Sequence, residues 1–176
     1  NCNRVDNMAR KTNPEGLTLD QVREFLEYDP ISGVFKWRKR TSNRVQVGGI
    51  AGVTAANGYI YVTLHDYKLL AHRVAWFYVT GKWPEEQLDH INRDRRDNRL
   101  VNLRPASQSQ NSCNGSLRST NKSGYRGVSW EKRKRKWKAR IVKDGKQYPL
   151  GYFDTKESAY DAYLEAAKRL HGEFAG

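Results

Sequence analysis

The sequence predicts an α+β protein built from two small domains. Three observations carry this. Up to about residue 114, short strand-like runs are interleaved with segments of helical period. After residue 123 the pattern becomes three strand-like runs followed by one amphipathic stretch. Between them lies GSLRSTNKS, residues 115–123, small and polar, the composition of a flexible linker. The expected division is a disordered tail over 1–17, a first domain over 18–114, a linker over 115–123 and a second domain over 124–176.

The elements follow in order. Thr18 opens a helix, with Gln21 three residues on completing a capping box and Val22, Phe25 and Leu26 on one face. Pro30 is expected to stop it. Strands are expected over 34–37, 49–53, 59–64 and 67–70, punctuated by Gly33, Gly48, Asn57-Gly58 and His65-Asp66 as turns. A helix runs over 71–79, with Gly81 and Pro84 as stop signals. Leu88-Asp89-His90-Ile91 reads as a strand leading into a polar loop, and Leu100-Val101-Asn102-Leu103 follows. Ser107 and Gln110 make a second capping box that opens a short helix. Beyond the linker, strands are expected over 125–130, 136–143 and 147–153, the last two joined by the hairpin turn Asp144-Gly145. Thr155 caps a helix whose Ala159, Ala162, Tyr163, Ala166 and Leu170 form an apolar stripe, and Gly172 ends it.

Composition narrows the partners. The chain has 176 residues, 38% of them hydrophobic, which suits a folded core. Its 32 Lys and Arg against 19 Asp and Glu leave a formal charge of +13, which favours a polyanion as partner. No apolar run reaches the about 18 residues that a membrane span needs, which speaks against a membrane partner. Cys2 and Cys113 form no CxxC pair, so neither a thiolate zinc site nor a disulfide framework is expected. The first ten residues are polar, with no signal peptide, and a reducing cytoplasm is the expected compartment. Asn1 is not an initiator, so residues 1–7 are expected to stand outside the fold.

One segment holds the means for chemistry. Asp89 and His90 are neighbours on a strand, and strand neighbours point to opposite faces. Where the strand gives way to a loop, both can border one cleft. Asn98, Asn102, Arg104 and Asn111 follow, the last on the short helix. A carboxylate and an amide carbonyl are hard oxygen ligands, suited to Mg²⁺ or Mn²⁺ rather than zinc. An imidazole beside them suits a general base. The blander reading stays open: an Asp-His pair is often a surface accident, and Asn is a common turn former. A calcium loop is excluded, because it lacks the required glycine and its twelfth position from Asp89 is Leu100.

DHINRDRRDNRLVNLRPASQSQN resembles the HNH nuclease motif in the form common to phage-type homing endonucleases. The resemblance extends upstream through YDPISGVFKW, the 48–52 turn, GYIYVTL and AHRVAWFYVTGKWP, covering residues 25–114. It implies a small ββα-metal nuclease domain with added N-terminal strands and helices. It also implies roles. His90 would be the general base, Asp89 a metal ligand, and Asn102 the brace of the loop that orients His90. Asn111 stands where the motif has its final His and would be the second ligand of one divalent ion, Mg²⁺ or Mn²⁺. Arg73 and Arg104 would contact phosphates. For His72, beside Arg73, a packing or hydrogen-bonding role at the helix start is an equal reading.

In 132–140, seven of nine residues are basic, the exceptions being Trp137 and Ala139. On a strand, Trp137, Ala139 and Ile141 share one face and Lys138 and Arg140 the other, leaving a basic face free above a helix-backed sheet. The motifs YRGV, WKARI, LGYFDT and LHGEFA resemble the Apetala-two/ethylene-response-factor DNA-binding domain over residues 122–176. That resemblance implies that Arg126, Trp130, Lys138 and Arg140 face DNA, and Lys132, in the basic run, is expected to touch phosphate. The expected function is a site-specific, homing-type DNA endonuclease acting on double-stranded DNA as a monomer, with no small-molecule substrate. The other reading is a DNA-binding regulator whose nuclease domain is inactive.

Overall fold

The computed structural model describes residues 16–114, 117 and 119–174, without the side chains of residues 112, 113 and 173. The expected tail up to residue 15, Cys2, the Cys113 thiol and linker residues 115, 116 and 118 lie outside the described residues. The protein is mixed α+β, with several small antiparallel sheets. The chain forms two compact units, Asn1–Glu85 with Asp94–Arg104, and Glu86–Arg93 with Pro105–Gly176. The expected boundary at 115–123 falls inside the second unit.

The first unit opens with helix α1, Leu19–Phe25, whose capping box is present: Gln21 N–H donates to Thr18 Oγ1 at 3.2 Å, and Thr18 N–H to Gln21 Oε1 at 2.9 Å. The helix ends before Pro30. Leu26 starts a strand instead, β1 (Leu26–Asp29), paired antiparallel with β2 (Val34–Trp37). Leu26 and Tyr28 are buried and Glu27 is exposed, a period of two that overrode the helical reading. The turn between the strands is closed by Asp29, whose carboxylate accepts from Ser32 Oγ at 2.6 Å and from Ile31 N–H at 2.9 Å.

The strand expected over 49–53 is mostly irregular. Only Val53–Thr54 is regular (β3), preceded by a single bridge from Ile50 to Lys36. Gly48 at φ +79° and Gly52 at φ +129° break the extended run. β3, β4 (Ile60–Leu64) and β5 (Tyr67–Leu70) form an antiparallel meander. β5 runs straight into α2 (Ala71–Thr80), which ends on left-handed Gly81. Leu26, Phe35, Val62, Leu64 and Val74 form the core of this unit.

Segment Asp94–Arg104 is held to the same unit by polar contacts, one buried and one exposed. Tyr28 donates its hydroxyl to the Asn98 carbonyl at 2.8 Å, and burial pushes that phenol's pKa up. Arg95 donates to the Asn57 carbonyl at 2.7 Å and lies over the Tyr59 ring.

In the second unit, β6 (Gln87–His90) and β7 (Leu103–Ala106) make a two-stranded sheet; β7 begins in the first unit and ends in the second. Helix α3 (Gln108–Asn114) carries the second capping box: Ser107 N–H donates to Gln110 Oε1 at 2.8 Å, and Gln110 N–H to Ser107 Oγ at 3.3 Å. β8 (Val128–Glu131), β9 (Lys136–Lys143) and β10 (Lys146–Phe153) form an antiparallel sheet with β9 central. β8 starts three residues later than expected, because Gly124 and Gly127 take positive φ. At Gly127 a Cβ would lie 2.4 Å from the Arg140 carbonyl and from the Tyr163 ring. Asp144 and Gly145 both take positive φ, the signature of the tight hairpin turn.

Helix α4 (Lys156–His171) backs this sheet, burying Ala159, Tyr163, Ala166 and Ala167 against Val128, Ala139 and Ile141. Its stripe lies slightly off the expected one: Ala167 and His171 are buried, while Ala162 and Leu170 are half-buried. α3 packs against both β6 and β9, and Ser109 Oγ donates to the Val142 carbonyl at 3.4 Å and accepts from Asp144 N–H at 3.3 Å.

Candidate functional site

β6 is buried at three consecutive positions, Leu88, Asp89 and His90. Neighbouring strand residues face opposite ways, so β6 is covered on both sides. The last two positions are nevertheless a carboxylate and an imidazole, each only 4% exposed. Buried polar groups of this kind require partners. Asn114, also 4% exposed, supplies some of them: its Nδ2 donates to both Asp89 carboxylate oxygens at 3.0 Å and to the His90 carbonyl at 2.8 Å. Asn114 Oδ1 accepts from Arg93 Nε at 3.2 Å. The chain turns directly after the pair, with Arg93 N–H donating to the His90 carbonyl at 2.9 Å.

Asn111 lies one turn earlier on α3. Its Nδ2 donates to Gln87 Oε1 at 2.8 Å, and Gln87 in turn donates to Gln108. The Asn114 amide, one turn further on, contacts Asp89 directly. With its nitrogen engaged by Gln87, Asn111 has its carbonyl oxygen to offer a cation. The donor set here is one carboxylate and amide oxygen, and no group of three or more His, Cys, Asp or Glu among the described residues could hold a metal. Few hard oxygen ligands suit Mg²⁺, which keeps several waters and takes further oxygens from phosphate. Zinc, which prefers three or four N or S ligands, is a poor match.

Other candidate residues belong to the first unit. Arg73 donates to the Pro84 carbonyl at 3.0 Å and is partly buried, which pulls its guanidinium pKa down. His72 is buried, with its ring 5.3 Å from that of Tyr59. Asn102 is buried and donates to the Asp97 carbonyl at 2.9 Å, across the loop. Arg104 is half-buried.

The three-stranded sheet offers a separate surface. Ala139 and Ile141 point to α4, and Lys138 and Arg140 to the free face. Arg140 Nη1 donates to Gln147 Oε1 at 2.9 Å. Lys132 is exposed in the β8–β9 turn. Arg126 and Arg140 line one cavity of about 890 Å³ together with Ser107, Ser109 and Asn121. Trp130 departs from the expected grouping. The register pairs it with Trp137, two residues from the Val128–Ala139 pair, so it lies on the α4 side of the sheet, opposite Lys138 and Arg140. It is 47% exposed and packs edge-on against Trp137 at 5.2 Å.

Sequence reasoning missed Asn114 and Tyr152. Tyr152 pairs with Lys138 across the strands and has Lys134 Nζ 3.7 Å from its ring centroid, placing an aromatic on the basic face. The alternation of Tyr152 with Phe153 was the signal for it. Asn114 had no signal beyond its spacing of three from Asn111.

Comparison with known proteins bears on both surfaces. The HNH endonuclease family model matches residues 69–113, which include Asp89, His90, Asn102 and Asn111. The AP2 domain model matches residues 123–173. Protein 3.8 of Escherichia phage T7 is 32% identical over 105 residues, covering 59% of this chain and 86% of that protein. The chain belongs to the HNH endonuclease family. A second relative of this HNH chain is an uncharacterized HNH endonuclease of Acanthamoeba polyphaga mimivirus, 36% identical over 110 residues and 61% of the chain. The HNH chain spans 56% of the length of that relative. No solved structure matches. Among the described residues no helix is long and apolar enough to cross a membrane.

Proposed function

We propose that the chain is a metal-dependent, site-specific endonuclease of double-stranded DNA, of homing type, whose AP2 domain anchors the substrate. The observation that carries this is the buried Asp89–His90 pair at the end of β6, in the same compact unit as an exposed basic sheet face. Burying a carboxylate beside an imidazole is costly for a fold that makes no use of them.

Asp89 and the Asn111 carbonyl oxygen would hold one divalent ion, Mg²⁺ or Mn²⁺. When bound, that ion supplies positive charge against the negative charge developing on the departing 3′ oxygen. His90 takes a proton from the attacking water, and the hydroxide displaces the 3′ oxygen in line at phosphorus. The products are 5′-phosphate and 3′-hydroxyl ends. Asn102 stiffens the loop through Asp97. Lys138 and Arg140 bear on the duplex, and Arg126 and Lys132 add charge at the margin of the same sheet.

The test is nicking of supercoiled plasmid carrying the cognate site, with Mg²⁺ and with EDTA. Cleavage is expected with Mg²⁺ alone. His90→Ala should lower it by roughly 10²–10⁴-fold while DNA affinity is kept. Specific binding with no cleavage under any divalent ion would instead identify a DNA-binding regulator with an inactive nuclease domain.

A further inference from the structure

We propose that Asn114 is a positioning residue of the nuclease site, clamping the Asp89 carboxylate and the His90 backbone in a single geometry. The proposal rests on the reading of Asp89 and His90 given above, and it adds a residue that lies one position beyond the segment matched to the HNH family.

The argument is one of satisfied donors and acceptors. An Asn side chain has two N–H donors and one carbonyl acceptor. At Asn114 the two N–H groups on Nδ2 serve three acceptors, the two Asp89 oxygens and the His90 carbonyl. The Oδ1 acceptor is met by Arg93 Nε. This fixes which way the amide faces. Turned over, it would set its oxygen against a carboxylate and a carbonyl, and its nitrogen against a guanidinium.

The placement matters as much as the bonds. Asn114 is the last residue of α3, and Asp89 and His90 are the last two of β6. One side chain therefore joins the end of the helix to the end of the strand. It grips the side chain of one site residue and the main chain of the next. The His90 carbonyl is also held by Arg93 N–H. The peptide that follows His90 is thereby held where the strand gives way to the loop, and Asp89 presents its carboxylate to Asn114 in one orientation. Without Asn114, Asp89 would be a buried carboxylate lacking the donor that spans both of its oxygens. Outer groups that orient ligands in this way typically carry 10–100-fold in metal affinity or activity.

The experiment compares the full-length protein with Asn114→Ala and Asn114→Asp. A further control is Ile141→Val, which thins the α4–sheet core away from the site. Three quantities are read: Mn²⁺ affinity by titration calorimetry without DNA, cleavage rate at saturating DNA, and DNA affinity with thermal midpoint. Asn114→Ala should weaken Mn²⁺ binding and slow cleavage by about 10–100-fold, with DNA affinity unchanged. Asn114→Asp keeps the shape but replaces the donor by an acceptor, so it should fail to restore the rate. Ile141→Val should lower the thermal midpoint and leave Mn²⁺ affinity and cleavage rate alone. The proposal is overturned if Asn114→Ala behaves like Ile141→Val, or if Asn114→Asp cleaves at the wild-type rate. Its failure is separable from that of the underlying reading: if His90→Ala and Asp89→Ala are inactive while Asn114→Ala is fully active, only the positioning role falls.

Discussion

At the scale of single residues, the chain places costly groups where geometry leaves no alternative. Asp89, His90 and Asn114 are buried and polar, and they meet at one strand end. Gly127 is the counterpart in the sheet domain. It sits at φ +70°, where any side chain is strained, and its α-carbon faces the Arg140 carbonyl and the Tyr163 ring. Gly127→Ala should therefore destabilise the protein by about 2–4 kcal/mol, combining left-handed strain with overpacking. Urea unfolding checks this, and a change below about 0.5 kcal/mol would mean that Tyr163 moves aside freely. Of these residues, Asp89 and His90 were legible because a motif spans them in sequence. Gly127 and Asn114 were not, because their constraints come from partners 13 to 36 residues away in the chain.

At the scale of elements, caps and turns were the most legible features. Both capping boxes and the Asp144-Gly145 hairpin depend on residues two or three apart, so local sequence suffices. Helix–strand boundaries were less legible: Leu26 fits a helical stripe and a buried strand equally, and pairing with Trp37 decided between them. The end of α4 supports a prediction. His171 is buried there, bonded to the Val142 backbone, with Lys143 and Asp144 nearby and no hydrogen-bond partner for Nε2 among the described residues. Burial, aided by Lys143, holds its pKa below the ordinary imidazole value. The unfolded chain then takes up the proton first, so stability falls as pH drops through about 6.5 and levels off below the lowered folded value. His171→Asn, which cannot titrate, should show a flatter thermal midpoint between pH 7.5 and 5.5. Parallel wild-type and variant curves would show that this histidine titrates alike folded and unfolded.

At the scale of the whole molecule, charge and division of labour dominate. A formal charge of +13 makes affinity for DNA fall steeply with salt. Arg140→Ala, on the free sheet face, should cost roughly 1–3 kcal/mol and relax specificity at one position. Lys132→Ala, in the exposed turn, should weaken cognate and scrambled duplexes alike and reduce the salt slope by about one. Binding of both duplexes at two salt concentrations distinguishes the two effects. Equal losses of cognate and scrambled binding for Arg140→Ala would remove it from base recognition. Point substitutions are the cleaner route here. Deleting residues 115–176 would also strip α3 of its packing on α4 and β9, so lost activity would not report on DNA anchoring alone.

The sequence by itself determined the mixed α+β class and the family, and it supplied the residues proposed above for the chemistry. Net charge, turn dipeptides, capping boxes and the DH…N…N spacing are all written in local order along the chain. Tertiary structure alone decided which amide meets Asp89, which face of the sheet carries Trp130, and where α3 packs. Each of these depends on strand register or on which helix turn faces a strand. A shift of one residue in register reverses every side chain on a strand, and one turn along α3 separates Asn111 from Asn114. Such choices are settled by the packing of segments distant in sequence, which no local pattern encodes.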